Sequence, residues 1–333
     1  MVRLWLPLVL LLSPLGYASC NSTRKNLIID TDLFSDVDDA GALLIATTAT
    51  NVNLLAVNIN YPSSYSAWCA SAIVAHYGLN VPIGIRKPFA NVSYFDDFYY
   101  QLGEYASKIA YHHSGGNLTW GNADDAWDAV ALYRKVLSEA EDNSVTIASI
   151  GFFENLSGLL NSTADEYSSL DGPALVSAKV SELVIMGGDY PSGYEYNFWG
   201  DNPTATAHVV NNWNGSIVYS GADLGGNVTS GALLIAQGPE NDPVRQAYLY
   251  YTHGGARYSW DPLTVLYAID GLSSGLFEYG NQYGYNYVHP NGSNEWVFDE
   301  QVANQHWLNL KVDNVTAGAK LDQMFLSKAW SAV

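Results

Sequence analysis

Five carboxylates crowd one short stretch of this chain, Ile29-Asp30-Thr31-Asp32-Leu33-Phe34-Ser35-Asp36-Val37-Asp38-Asp39. The apolar run Leu27-Ile28-Ile29 leads straight into it, so Asp30 and Asp32 fall at the end of a buried strand rather than on an open loop. Carboxylates held that close repel, and each raises the pKa of its neighbours unless a cation intervenes. A hard divalent ion such as Ca²⁺ or Mg²⁺ resolves the crowding, because it takes about six to eight oxygen ligands. A plain acidic loop is the competing reading. Asp38 and Asp39 would then only favour the N-terminus of the next helix, which leaves Asp30 and Asp32 unexplained. The spacing is not that of an EF-hand, since Ser35 and Gly41 occupy the positions that need Gly and Glu. No His or Cys lies nearby to suit a softer metal. A strand followed by Asp-Thr-Asp also fits an aspartyl-phosphate phosphatase, but that chemistry draws its remaining acids from far along the chain, not from an immediate Asp38-Asp39.

The elements around this loop alternate between strand and helix. Leu27–Asp30, Leu54–Ile59, Val145–Ile150, Leu183–Met186 and Ser216–Tyr219 are short apolar runs that read as strands. Ala40–Thr50, Ala67–Tyr77, Ala126–Ala140 and Asn155–Leu160 carry helical patterns, with Asp124-Asp125 expected as cap and first turn of the third. The order predicts an α/β fold, a doubly wound, mostly parallel sheet with helices on both faces, built as one domain over 25–333. Ligands of such sheets sit beyond the carboxyl ends of the strands. The acidic loop lies just there.

Four segments in order carry a resemblance that spans nearly the whole chain. The acidic loop resembles the amino-terminal signature of the inosine-uridine preferring nucleoside hydrolase family. Ile147-Ala-Ser-Ile-Gly-Phe-Phe-Glu-Asn-Leu156 resembles that family's strand-turn, Met186-Gly-Gly-Asp-Tyr-Pro-Ser-Gly-Tyr-Glu-Tyr-Asn197 its sugar-binding segment, and Trp260-Asp261-Pro262-Leu263 its last calcium segment. The resemblance implies that Ca²⁺ is held by Asp32, Asp39, Asp261 and the Ile150 carbonyl. It further implies that Asp32 is the base, that Asp38, Glu195 and Asn197 bind ribose hydroxyls, and that Asp189 stands where some members reach the sugar with Asn. Glu195 and Asn197, two apart, would share one face of an extended segment. Asp30 would support the loop from behind. The implied reaction is cleavage of a nucleoside to base and ribose.

Departures from the family pattern are informative. Phe34 replaces a Gly, which removes a cheap positive-φ turn at that position. For the Asn expected after the second strand there are two stand-ins, Ser63 and Asn60. Where some members carry a His that protonates the leaving base, this chain has Trp260. Trp260 is either a core residue packed over a helix start or, as in the purine-preferring branch, a platform that stacks on the base. His112, His113, His253, His289 and His306 have no supporting spacing. The stretch Tyr279–Trp296 mixes Gly, Asn and Tyr without periodicity and reads as a flap over the site. Two alternatives remain beside the purine nucleosidase: a hydrolase of another ribosyl compound, and a nucleoside- or sugar-binding protein without turnover.

Composition points to a partner that is neutral, cationic or a metal ion. The chain has 333 residues, 14 basic and 33 acidic, for a formal charge of −19, so it offers no basic stripe for nucleic acid or anionic membrane. Arg3, the apolar Leu4–Leu12 and Gly16-Tyr17-Ala18 read as a signal peptide over 1–18, too short to span a bilayer, and predict secretion. Nine Asn-x-Ser/Thr sequons, at Asn21, Asn91, Asn117, Asn155, Asn161, Asn214, Asn227, Asn291 and Asn314, predict a glycoprotein, with Asn155 expected to be buried. Cys20 and Cys69 are the two cysteines, and a disulfide between them is open. The family forms dimers or tetramers, so a homo-oligomer is implied.

Overall fold

The computed structural model describes Met1, residues 24–94 and residues 102–332. The expected signal segment and Cys20 lie outside the described residues. Strands β1 (Lys25–Thr31), β2 (Val52–Ile59), β3 (Ile83–Ile85), β4 (Trp127–Asp128), β5 (Val145–Ile150) and β6 (Val180–Met186) lie side by side in the main sheet, with β4 at one edge. They are followed by β7 (Ser192–Gly193), β8 (Ile217–Ser220), β9 (Thr229–Ser230), β10 (Arg257–Tyr258), β11 (Phe277–Tyr279), β12 (Tyr285–Val288), β13 (Asn294–Val297) and β14 (Gln305–Leu310). Nine of these form one sheet in the order β11-β14-β8-β6-β5-β1-β2-β3-β4. Its pairings are parallel except β11 with β14 at the edge.

Apolar residues on both faces make β1, β5 and β6 near-continuous hydrophobic runs, as a parallel sheet covered by helices on both sides requires. Successive side chains feed opposite cores. Leu27 and Ile29 join the core under the helices Asp38–Thr48, Ser64–His76, Trp260–Asp270 and Asn314–Ser331. Ile28 joins the other, under Ala129–Glu139, Glu154–Leu160, Gly172–Lys179 and Pro203–Asn212. The parallel register brings the carboxyl ends of β1, β2, β5 and β6 to one edge of the sheet.

Some local expectations are corrected. The amphipathic helix starts at Ala129 rather than Ala126, and Asp128 caps it by accepting from the Val130 and Ala131 amides, each at 3.0 Å. Asp124 and Asp125 belong instead to a separate 3₁₀ turn, Ala123–Asp125. A cap that hydrogen-bonds two free amides outcompetes a mere excess of acids three residues upstream. The stretch Tyr279–Trp296 is not an irregular cover. Its β12 and β13 form an antiparallel hairpin that adds β7 as a third strand, and Trp296 packs edge-on to Tyr190 and Trp307. Among the described residues no helix is long and apolar enough to cross a membrane.

Candidate active site

The acidic loop leaves β1 and turns at Leu33, which adopts φ 44°. The left-handed bend that a Gly at position 34 would have supplied is thus made one residue earlier, by a fully buried leucine. Phe34 is free to stack on Tyr61 instead, with ring centroids 4.0 Å apart. Three bonds hold the bend: Asp39 Oδ1 accepts from the Leu33 amide at 3.1 Å and from the Thr31 hydroxyl, and Ser66 Oγ donates to the Leu33 carbonyl at 3.0 Å. The chain then enters helix Asp38–Thr48, which presents Asp38 and Asp39 from its first turn.

Asp261 comes from the start of helix Trp260–Asp270, and its amide donates to Asp38 Oδ2 at 3.0 Å. Pro262 follows as the third helical residue, within the first turn, which tolerates proline. One carboxylate oxygen each from Asp38, Asp39 and Asp261 lies within 4.8 Å of the others, and all three residues are buried. Burial pushes these three carboxyls well above their ordinary range, and the like charges beside them push further. Buried acids without a cation are costly. An all-oxygen set of this density can hold a hard metal ion.

Asp38, Asp39 and Asp261 line a cavity of 840 Å³ together with Asp32 and Ile150. Asp32 stands apart from the tight trio, with its Oδ2 accepting from Ser35 Oγ at 3.3 Å. Burial raises its carboxyl to about 6. Asp30 is fully buried behind the loop, where it accepts from Asn60 Nδ2 at 2.6 Å, Tyr133 Oη at 2.7 Å and Asn155 Nδ2 at 3.2 Å. Asn60 also accepts from the Phe152 amide at 3.1 Å, so it ties the end of β2 to the turn after β5. Gly151 is required in that turn, since a Cβ there would stand 2.7 Å from the Asp32 amide nitrogen. Ser63 serves elsewhere, as the cap of helix Ser64–His76.

The segment after β6 closes the opposite wall. Gly188 takes φ 77°, and a Cβ on Gly187 would strike the Phe198 ring. These two glycines let the chain turn sharply back toward the cavity. Glu195 and Asn197 do not share a face of an extended segment: Glu195 caps the short helix Tyr196–Trp199, and its carboxylate accepts from the Asn197 amide at 2.8 Å and the Gly188 amide at 3.1 Å. The cap redirects the chain into a helical turn, and both side chains still line the cavity. Burial raises Glu195 to about 7. Asp189 lines the cavity too, and its amide donates to Asn294 Oδ1 at 3.0 Å. The hairpin β12–β13 therefore buttresses this wall from behind and contributes no lining residue.

Trp260 also lines the cavity, half-buried rather than sunk in the core, and its Nε1 donates to the Ala222 carbonyl at 2.7 Å. The nine residues singled out in the sequence thus surround one space. Sequence reasoning missed the neighbours of Trp260: Tyr251, Arg257 and Tyr258 line the same wall. Arg257 Nε donates to both Asp36 oxygens at 2.9 Å and Nη2 makes a short bond to Oδ2. The only local signal was an arginine, scarce in this chain, set between Gly254-Gly255 and Trp260. Among the described residues no histidine lines the cavity. His113 faces Gln246 at 3.0 Å, His289 faces Glu295 at 3.3 Å and His306 stacks on Tyr279.

The chain also matches known proteins along most of its length. The family model of the inosine-uridine preferring nucleoside hydrolases matches residues 27–322. Among solved structures the chain is similar to a plant nucleoside hydrolase, with TM-score 0.66 and 17% identity over 92% of this chain and 99% of that one. It is similar to a purine-preferring ribonucleoside hydrolase from Gardnerella vaginalis, with TM-score 0.65 and 14% identity over 92% and 99% of the two chains. It is also similar to the type III effector XopQ, solved in complex with adenosine diphosphate ribose, with TM-score 0.66 and 14% identity over 93% and 94%. Among curated proteins no sequence match is found.

Proposed function

Because this chain belongs to the inosine-uridine preferring nucleoside hydrolase family, whose enzymes hydrolyse N-glycosidic bonds, we propose that it is a secreted, calcium-dependent ribohydrolase that splits ribonucleosides, purine ones first, into base and ribose. The observation that carries this reading is the buried trio Asp38, Asp39 and Asp261 at the floor of a cavity large enough for a nucleoside. Asp32, Asp39, Asp261 and the Ile150 carbonyl are the residues assigned to Ca²⁺, with Asp38 next to them. The donors are all oxygens, which favours calcium or magnesium over softer metals. When bound, the ion supplies a template that seats the ribose diol and a water.

The protein residues do the rest. Asp38 accepts a ribose hydroxyl, and Glu195, Asn197 and Asp189 hold the remaining hydroxyls from the opposite wall. With the sugar fixed between two acidic walls, positive charge that develops on C1′ as the bond to the base stretches is met by anions already in place. Asp32 takes the proton of the attacking water. Trp260 offers its ring for stacking on a two-ring base. The acidic sugar end repels a 5′-phosphate, so free nucleosides are favoured over nucleotides and over adenosine diphosphate ribose.

Export of this protein is supported by its sequons. The asparagines at 91, 117, 161, 214, 227, 291 and 314 are all exposed, whereas Asn155 is buried. The test is ribose release from purine and pyrimidine nucleosides, with and without chelator. Release that chelation abolishes and calcium restores is expected. Saturable nucleoside binding with no ribose from any substrate would instead identify a binding protein.

A further inference from the structure

The helical turn Tyr196–Trp199, which brings Glu195 and Asn197 to the cavity, is secured at its start by the Glu195 cap. Its other end is fastened from outside the segment. The Gly200 amide closes the turn on the Tyr196 carbonyl at 2.7 Å, and the next residue, Asp201, takes a short bond from Arg86 Nη1. Arg86 directly follows β3, and its amide donates to the Ile59 carbonyl at 2.9 Å. A second acid meets the same nitrogen. Glu154, which opens the helix Glu154–Leu160 after the Gly151 turn, holds its Oε1 3.4 Å from Arg86 Nη1. Both Glu154 oxygens are buried, and among the described residues neither meets a donor in hydrogen-bonding geometry.

One guanidinium does not neutralise two carboxylates, and a buried carboxylate without donors is costly. A proton on Glu154 resolves both problems, because the acid then donates to the Asp201 carboxylate beside it. Burial, aided by Asp201 and opposed by Arg86, raises the Glu154 carboxyl to about 8. Tyr61, beside Arg86 and Asp201, stays neutral, since burial and Asp201 raise its phenol. Charged groups of the helices packed on Glu154–Leu160 are engaged elsewhere: His208 with Ser157, Arg134 with Asp165, Lys135 with Glu139 and Lys179 with Asp142.

We propose that Glu154 and Asp201 share one proton over Arg86, and that this acid pair clamps the segment that binds the ribose hydroxyls, so that nucleoside affinity falls when the proton is lost. This rests on the ribonucleoside reading above. Glu154 and Asp201 line no part of the cavity and act as positioning residues. While the proton is present, the sugar-binding turn is tied to the ends of β3 and β5 together. Once it leaves, two carboxylates repel across a single cation, the far end of the turn comes loose, and Glu195 and Asn197 lose their fixed placement.

The test is calorimetry at saturating calcium with 9-deazaadenosine, whose carbon–carbon glycosidic bond resists cleavage. In wild type, Kd is expected to be about tenfold weaker at about pH 9.5 than at about pH 6.5. Reciprocally, binding near pH 8 should take up part of a proton, seen as a binding heat that varies with the buffer. Glu154→Gln offers an amide hydrogen in place of the titrating one, so its Kd should be flat with pH and its binding heat free of that uptake. Asp201→Asn supplies the hydrogen from the other side, predicts the same flat profile, and decides the matter if the first variant does not fold. A wild-type Kd that does not change with pH would overturn the clamp. So would an equal fall in both variants, which would assign the loss to Glu195, raised to about 7. Wild-type protein that binds no nucleoside at any pH is a separate result, and it overturns the ribonucleoside reading itself.

Discussion

The two ends of the cavity differ in chemistry. At the acid end, Asp32, Asp38 and Asp39 come from one continuous segment shaped by short-range bonds such as Leu33 N to Asp39 Oδ1, and Asp261 joins Asp38 from 223 positions away. At the base end, Arg257 and Asp36 meet across 221 positions of sequence, and the wall is aromatic. A divalent ion demands oxygens in a narrow range of distances, so a change to any one ligand is felt by the whole set. The aromatic wall can act only on the group that lies against it. Chemistry should therefore fail completely when the acid end is altered and fail selectively when the base end is.

Asp39→Asn is the harshest way to test that contrast. It removes a ligand charge and weakens the hold on Leu33, so kcat/KM should drop about 10³-fold on every substrate and calorimetry should show calcium binding lost. Activity retained on any nucleoside would break the comparison at its acid end. Trp260→Ala comes next, with a loss of about tenfold to hundredfold on inosine from missing stacking and much less on an activated riboside. A uniform loss would mean that Trp260 only packs. The third test reads pH. Burial lifts Asp30 to about 7 and Asp32 to about 6 in the fold. Between about pH 4 and 7 the ion-free folded chain therefore binds more protons than the unfolded one. Its stability is greatest on the acid side of that window and declines as pH rises through it. Melting without calcium should thus occur at lower temperature at pH 7.5 than at pH 5, and calcium should reverse that order, because only the carboxylate forms bind it. A flat ion-free profile would count against buried, unneutralised acids. The smallest effect belongs to Ser66→Ala, which leaves the Leu33 carbonyl without its hydroxyl partner at a cost of about 1 kcal/mol, read as a lower Tm.

Much of this was legible in the sequence because it is local. The acid run after Leu27-Ile28-Ile29, the alternation of strand and helix, and the buried sequon at Asn155 each follow from neighbours along the chain. What stayed hidden needed three dimensions. Phe34 marks the absence of a glycine, but only the backbone shows that Leu33 takes over the left-handed turn. The Glu195-x-Asn197 spacing suited a strand, and a side-chain cap converted it into a helical turn. Tyr279–Trp296 lacks period because its hairpin is short and aromatic, packed against Tyr190 and Trp307 rather than over the cavity. Arg257 had no motif to announce it, since its partner lies at the other end of the chain.

Asn155 carries a consequence for biogenesis. Enzymes that attach oligosaccharide in an export pathway meet the polypeptide before it has folded, when this sequon is as available as any other. In the finished protein the same amide is clasped by Asp30, with no room for a sugar. On the proposed secretory route, transfer to that site and docking of that side chain would be mutually exclusive fates, and a molecule that folds fully would be one in which docking came first.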